Sequence, residues 1–263
     1  MPSDTPKDRS SFDPEQPKNR PFQQGNNHLL VIGIDVYVHH TRLNNARRDA
    51  EAMRDLLRER YQFAPERITE LYDKAATRRQ VIETLEGLGS RLTPADNLLI
   101  YFSGHGAMNH RKSQGFWVPV DAEKTTADYI PNDRVRALIG DMEAHHIYLI
   151  VDACFGGSMI LRSETAAHEL LEQNPSRRVL SSGRQEVVSD GKPGGHSPFF
   201  TCIKHELSKG LPLSAIELEN YVIHNTPRTA NQLPEAEGIY GVGDKSGKFV
   251  FHPRRDEARD WAD

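Results

Sequence analysis

From His28 onward the chain alternates between short continuous apolar runs and longer stretches in which apolar residues recur every three or four positions. LLVIGI, RITELY, NLLIYF, HIYLIV and VLSSG have the length and content of strands, and KFVFH reads as a last short one. Between them, the stretch from about Asn45 to Tyr61 sets Ala46, Ala50, Met53, Leu56 and Leu57 at helical spacing. TRRQVIETLEGLGSRL, NDRVRALIGDM, SPFFTCIKHEL (opening on Ser197-Pro198) and LSAIELENYVIHN carry helical patterns as well. Strands that are apolar on both faces and alternate with helices predict an α/β fold, with a mainly parallel central sheet of about six strands and helices on both faces. Right-handed crossovers then bring the carboxyl ends of the parallel strands to one edge, where sites in such folds gather.

The ends of the chain follow a different pattern. Residues 1–26 carry five prolines among charged and polar residues, too little apolar surface to offset the entropy of ordering, and predict a disordered tail. Residues 254–263 are charged and expected to fray, with Trp261 able to dock. No apolar core of the kind a signal peptide needs is present near the start, and no run approaches a membrane span, so the expectation is a cytoplasmic protein with no membrane partner. The formal net charge is -4, and the basic residues alternate with acidic ones, as in NNARRDAEAMRDLLRER, which predicts solvated helix faces and no nucleic-acid partner. With only Cys154 and Cys202, the chain is not a disulfide scaffold and fits a reducing compartment.

Candidate chemistry concentrates just past two of the predicted strands. Ser103-Gly104-His105-Gly106 follows LLIYF, and Asp152-Ala153-Cys154-Phe155-Gly156-Gly157 follows IYLIV. A thiol needs a base or a cation beside it to become a thiolate, and an imidazole can be that base and afterwards protonate a leaving amine. Gly156-Gly157 permits a tight turn and close approach of a substrate backbone, and the glycines flanking His105 leave its ring free to face a cleft. Taken together, His105 and Cys154 read as a cysteine-peptidase dyad, with the backbone N–H groups of Gly106 and Cys154 as donors to a tetrahedral oxyanion. Cys202 lies in a helical pattern and reads as a buried core residue. The pairs His39-His40 and His145-His146 diverge on any regular element and make poor zinc chelates. GVGDKSGK misses the spacing of a phosphate loop and reads as a turn before the last strand.

The set GID…LNNARRDAEAM, LLIYFSGHG, FWVPVD, IYLIVDACFGG, VLSSGRQEVVSDG, SPFFT and a terminal G-x-F-V-F resembles the caspase and metacaspase superfamily over about residues 28–252, closest to its bacterial, orthocaspase-type members. Caspases place the histidine about 50 residues before the nucleophile, as here. The local signature Q-A-C-[RQG]-G is not matched: Asp152 stands in place of Gln, and Phe155 in place of Arg, Gln or Gly. The resemblance implies the caspase-haemoglobinase fold for residues 27–253, with a large-subunit-like part over 27–161, a linker over 158–178 and a small-subunit-like part over 179–253. It also implies that Asp49 and Asp152 form an acidic pocket for the substrate residue before the cleaved bond. A carboxylate two residues from the nucleophile on an extended segment points to the same face. A buried acidic pocket is costly unless a cation fills it. Protein or peptide substrates with Arg or Lys at that position are therefore expected. The alternatives are that Asp152 caps or hydrogen-bonds the turn and that Asp49, on its helix, has a surface or N-cap-like role.

The resemblance further implies a regulated protease of stress, cell death or antiphage defence, a zymogen whose linker is cut in activation, by itself or by a partner protease or activating protein. Arg162, Arg177 and Arg178 are the candidate processing sites. Many metacaspases bind calcium beside the active site. Asp121 and Asp133 resemble part of that carboxylate set, whereas a third position has Leu161. No cofactor is required by the dyad chemistry. The competing reading is a catalytically silent caspase-fold scaffold or binding protein.

Overall fold

The computed structural model of the chain describes residues 25–153, 171–183 and 189–254. Most of both expected tails, Cys154, Leu161 and Arg162 lie outside the described residues. The N-terminal boundary moves slightly: Asn26 is already tied down, its side chain donating to Asp96 Oδ1 at 3.1 Å.

In chain order the elements are β1 (Asn27–Gly33), α1 (Ala46–Arg60), β2 (Ile68–Tyr72), α2 (Arg78–Arg91), β3 (Asn97–Ser103), β4 (Gly106–Asn109), β5 (Gln114–Trp117), β6 (Ile130–Pro131), α3 (Asn132–Gly140), β7 (His146–Asp152), β8 (Ser176–Ser181), α4 (Pro198–Leu207), β9 (Leu213–Ser214), α5 (Ala215–Thr229), β10 (Glu235–Gly238) and β11 (Val250–Phe251). Six strands form the central sheet in the order β10-β8-β7-β3-β1-β2, parallel except for the antiparallel edge pair β10 and β8. Both faces are covered, and side-chain alternation along each strand divides the core in two. Leu29 and Val31 of β1, with Leu99 and Tyr101 of β3, pack against Met53 of α1, Phe199 and Phe200 of α4 and Leu218 of α5. Leu30, Ile32, Leu98 and Ile100 face Val81 and Leu85 of α2 and Val135 of α3. Ser and Thr side chains start three of these helices: Thr77 accepts from Gln80 N, Ser197 accepts from Phe200 N, and Ser214 forms a reciprocal capping box with Glu217.

Several sequence expectations are corrected. KFVFH contributes β11, which pairs with β9 in a separate two-stranded ribbon, and the sixth strand of the central sheet is the polar segment EAEG of β10. A small antiparallel sheet, β4-β5-β6, follows the His105 turn and was not predicted. It is held to the main core by Trp117, whose ring stacks on Phe102 of β3 at 4.4 Å and 11°. Helix α5 runs on past Asn225 through Pro227 to Thr229. Strand β8 begins at Ser176, so the last three residues assigned to the linker belong to the sheet.

Candidate active site

The carboxyl ends of three central strands meet in register: Gly33 of β1 is opposite Ser103 of β3, and Ser103 is opposite Asp152 of β7. His105 is two residues beyond Ser103. The intervening Gly104 donates its N–H to Asp152 O at 3.2 Å, which ties the histidine turn to the end of β7. A Cβ at 104 would come within 2.6 Å of the Tyr37 hydroxyl oxygen, so any other residue there would displace that side chain. That hydroxyl oxygen accepts the backbone N–H of His105 at 2.7 Å, and the two rings lie 4.7 Å apart.

The imidazole of His105 is half-buried, and its Nε2 lies 2.6 Å from the carbonyl oxygen of Thr41. A carbonyl only accepts, so Nε2 carries the proton and Nδ1 keeps its lone pair. Burial lowers the ring's pKa, against the Thr41 hydrogen bond, which raises it, and this keeps the ring a neutral base. Gly106, the other residue flanking the ring, opens β4 opposite Trp117. Cys154 lies outside the described residues, directly after Ala153.

The acidic pair comes together through a helix start. Asp49 occupies the buried stripe of α1 with Ala46, Ala50, Met53 and Leu57, and its side chain is 0% exposed. Oδ1 lies 2.5 Å from His196 Nδ1, and Oδ2 accepts the backbone N–H of Ser197 at 3.0 Å. Asp152 is also buried, and its Oδ2 accepts the Ser197 hydroxyl at 2.5 Å. The same hydroxyl oxygen accepts Phe200 N at 2.9 Å as the N-cap of α4. Ser197 thus bridges both carboxylates. Burial and then the like charge of Asp152 push Asp49 up to about 8. Burial pushes Asp152 up to about 6, against the hydrogen bonds of Ser197 and Ser182, which lower it. A third carboxylate adds to the repulsion in both: Asp190, which accepts from the backbone N–H groups of Asn44 and Asn45 and so ties its loop to the start of α1.

The surface alternative for Asp49 gives way here, since Asp49 is interior; Asp152 joins Asp49 at Ser197, and the turn that follows Asp152 lies outside the described residues beyond Ala153. Sequence reasoning missed Tyr37, Thr41, Asp190, His196 and the bridging of Asp49 and Asp152 by Ser197. Ser197 left a signal as the Ser-Pro start of a helix, and Asp190 lies within the VLSSGRQEVVSDG segment that carries the resemblance.

Two of the three candidate processing arginines are misplaced by the sequence reading. Arg177 and Arg178 are in β8, not in a polar linker. The guanidinium of Arg177 donates to the carbonyl oxygens of Met142, Ala144, His145 and Ser176, and that of Arg178 forms a two-point pair with Glu219 of α5. Arg162 lies outside the described residues. Of the carboxylates suggested for calcium, Asp121 accepts the N–H of Arg78 at the start of α2 and Asp133 pairs with Arg136 at 3.0 Å. No cluster of three or more potential metal ligands occurs among the described residues. Cys202 is buried in the core face of α4, as its pattern suggested. No helix among the described residues is long and apolar enough to cross a membrane.

Residues 26–234 match the family model of the caspase domain. Metacaspase-1 of Plasmodium falciparum is 33% identical over 147 residues, which is 50% of this chain and 24% of the relative. The chain spans less than half the length of the curated relatives it matches. Among solved structures, protein GSU0716 of Geobacter sulfurreducens superposes with a TM-score of 0.63 at 20% identity, covering 84% of this chain and 97% of that one. Caspase-1 of Spodoptera frugiperda superposes with a TM-score of 0.58 at 12% identity, covering 85% and 92%. At those identities the structural likeness is one of fold. The family model spans most of the chain and agrees with the strand-end motifs and the six-stranded sheet: the chain belongs to the caspase-domain family of peptidases.

Proposed function

We propose that the protein is a cysteine endopeptidase that cleaves after Arg or Lys, with Cys154 as nucleophile and His105 as base. The observation that carries this is the register of Ser103 with Asp152, because the residues two positions beyond each are His105 and Cys154. In this reaction Nδ1 of His105 takes the thiol proton and the sulfur attacks the substrate carbonyl. The Gly106 and Cys154 N–H groups receive the oxyanion. The C–N bond breaks as the imidazolium returns its proton to the leaving amine, and water then hydrolyses the thioester by the reverse exchange. The Thr41 carbonyl holds the ring in the tautomer this requires and accepts from the imidazolium that forms.

The preference for a basic residue rests on Asp49 and Asp152, two interior carboxylates that repel each other and have no side-chain cation bonded directly to them among the described residues. An incoming guanidinium or ammonium supplies the missing charge. The test is turnover of a reporter peptide panel differing in the residue before the cleaved bond. Cys154→Ala should abolish cleavage, and His105→Ala should reduce it by at least a hundredfold. An Asp-ended peptide as the best substrate would overturn the specificity, and full activity in Cys154→Ala would overturn the assignment.

A further inference from the structure

The acidic pocket holds a side chain of its own. His196 places Nδ1 2.5 Å from Asp49 Oδ1, and its other nitrogen, Nε2, lies 2.9 Å from Lys204 Nζ on the next turns of α4. An ammonium group only donates, so Nε2 accepts, and the ring is therefore the neutral tautomer whose Nδ1–H donates to Asp49. The chain of bonds runs from Lys204 through His196 to Asp49, and it keeps the lysine's charge one ring away from the carboxylate. The ring stands edge-on to Phe200 at 5.1 Å and is 23% exposed, whereas Asp49 is 0% exposed.

The geometry points to His196 as a specificity-determining residue: its neutral imidazole holds the place of the substrate's cation on Asp49, Lys204 is its positioning residue, and a basic side chain binds by taking over that hydrogen bond. This rests on the acidic-pocket reading above and adds how the pocket is kept closed and to whom it opens. A neutral donor satisfies one lone pair of the buried carboxyl group but brings no positive charge to hold it ionised, so a guanidinium or ammonium, which does, gains more on the same oxygen than the imidazole loses. A substrate side chain without a donor gains nothing there and leaves the imidazole in place. His196 thus lowers the affinity of cations by the bond they must replace and keeps side chains without a donor away from that oxygen. The partly exposed edge of the ring gives it a way outward, with Lys204 still bonded to Nε2.

The experiment uses the full-length Cys154→Ala protein, with acetyl-arginine amide as probe and acetyl-norleucine amide as uncharged control, read by calorimetry and by the ring nitrogen and proton signals of His196. Wild-type pocket residues should bind the arginine probe and not the control, with a shift of the His196 ring signals. His196→Ala should bind the arginine probe about tenfold more tightly, since a hydrogen bond to a charged group no longer has to be broken. His196→Asn, whose amide can still donate to Asp49, should return affinity toward the starting value. Lys204→Met should shift the ring spectrum away from the Nδ1–H tautomer, a change that loss of packing alone would not produce. Unchanged or weaker binding in His196→Ala, with Asp49→Asn abolishing binding, would overturn the role of His196 and leave the pocket standing. Should His196→Ala fail to fold, the ring signals decide: a His196 ring that does not respond to bound probe overturns the inference. No Asp49-dependent binding of the probe at all would overturn the acidic-pocket reading and this inference with it.

Discussion

Two sets of ionisable side chains are buried in this protein under opposite rules. Arg178 of β8 and Glu219 of α5 meet in a two-point pair, with the carboxylate 4% exposed. Burial pushes Glu219 up, and Arg178 opposes that by hydrogen bond and charge; burial alone would lower Arg178, yet Glu219 keeps it raised. Asp49 and Asp152 are as deeply buried, yet they share a sign and are met by a hydroxyl, a backbone N–H and a neutral imidazole. The first pair is complete within the fold. Among the described residues the second is short of a positive charge, which is the condition expected of a site that waits for one.

The contrast can be broken most sharply by neutralising one member of each set. Glu219→Gln or Arg178→Met leaves a buried charge alone and should cost about 3–5 kcal/mol of unfolding free energy in urea titrations. Asp49→Asn should cost about 1 kcal/mol or less, because the amide removes desolvation and repulsion while losing one accepted hydrogen bond. The same Asp49→Asn variant should lower turnover of Arg and Lys peptides at least tenfold, since a desolvated charge pair loses about 2–5 kcal/mol when one partner is neutralised. Equal destabilisation in both sets would mean that the carboxylates are structural and would remove the argument for a cation pocket.

A subtler separation comes from pH. Asp49 in the folded protein is pushed up to about 8, and Asp152 to about 6, from 3.8. Between those values the folded state holds protons that the unfolded chain has released. The stability these groups contribute is therefore complete below about pH 4 and is lost as pH rises through 6 and 8. The slope is about 1.4 kcal/mol per pH unit for each whole proton. The urea midpoint of wild type relative to Asp49→Asn should fall as pH rises from 5 to 8.5, a difference in which the buried histidines, whose lowered pKa values act in the opposite sense, cancel. A midpoint that rose with pH in wild type and was unaltered by Asp49→Asn would contradict the protonated pair.

The smallest effect concerns processing. If the enzyme cuts itself, fragment termini determined by mass spectrometry should include Arg162 and exclude Arg177 and Arg178, whose guanidiniums and strand backbone are engaged in β8. Termini at 177 or 178 from protein still folded by calorimetry would show that β8 opens, and that its buried pair is weaker than argued.

The parallel core was legible because β1, β3 and β7 are buried on both faces, and an apolar run signals that wherever it stands. The positions of His105 and Asp152 followed from strand ends alone. β10 was not legible: its four residues are two glutamates, an alanine and a glycine, all half-buried, and they become a strand because β8 offers an unpaired edge. Arg177 and Arg178 misled for a related reason. Two adjacent arginines read as loop, and what makes them interior, the carbonyl oxygens around residues 142–145 and a glutamate on α5, is far away along the chain. The pocket was half legible. Asp49 and Asp152 were marked by motif, but His196 acts through loop placement that no local pattern announces.

Ser197 carries a consequence for how such a protein can diverge. One hydroxyl group caps α4 and holds Asp152, while the backbone N–H of the same residue holds Asp49. Under the proposed acidic pocket, foldability and recognition are subject to selection at a single position, so a lineage drifting toward a different substrate cannot simply exchange that residue. It must first find another way to begin the helix, and changes of preference should accumulate around position 197 before they reach it.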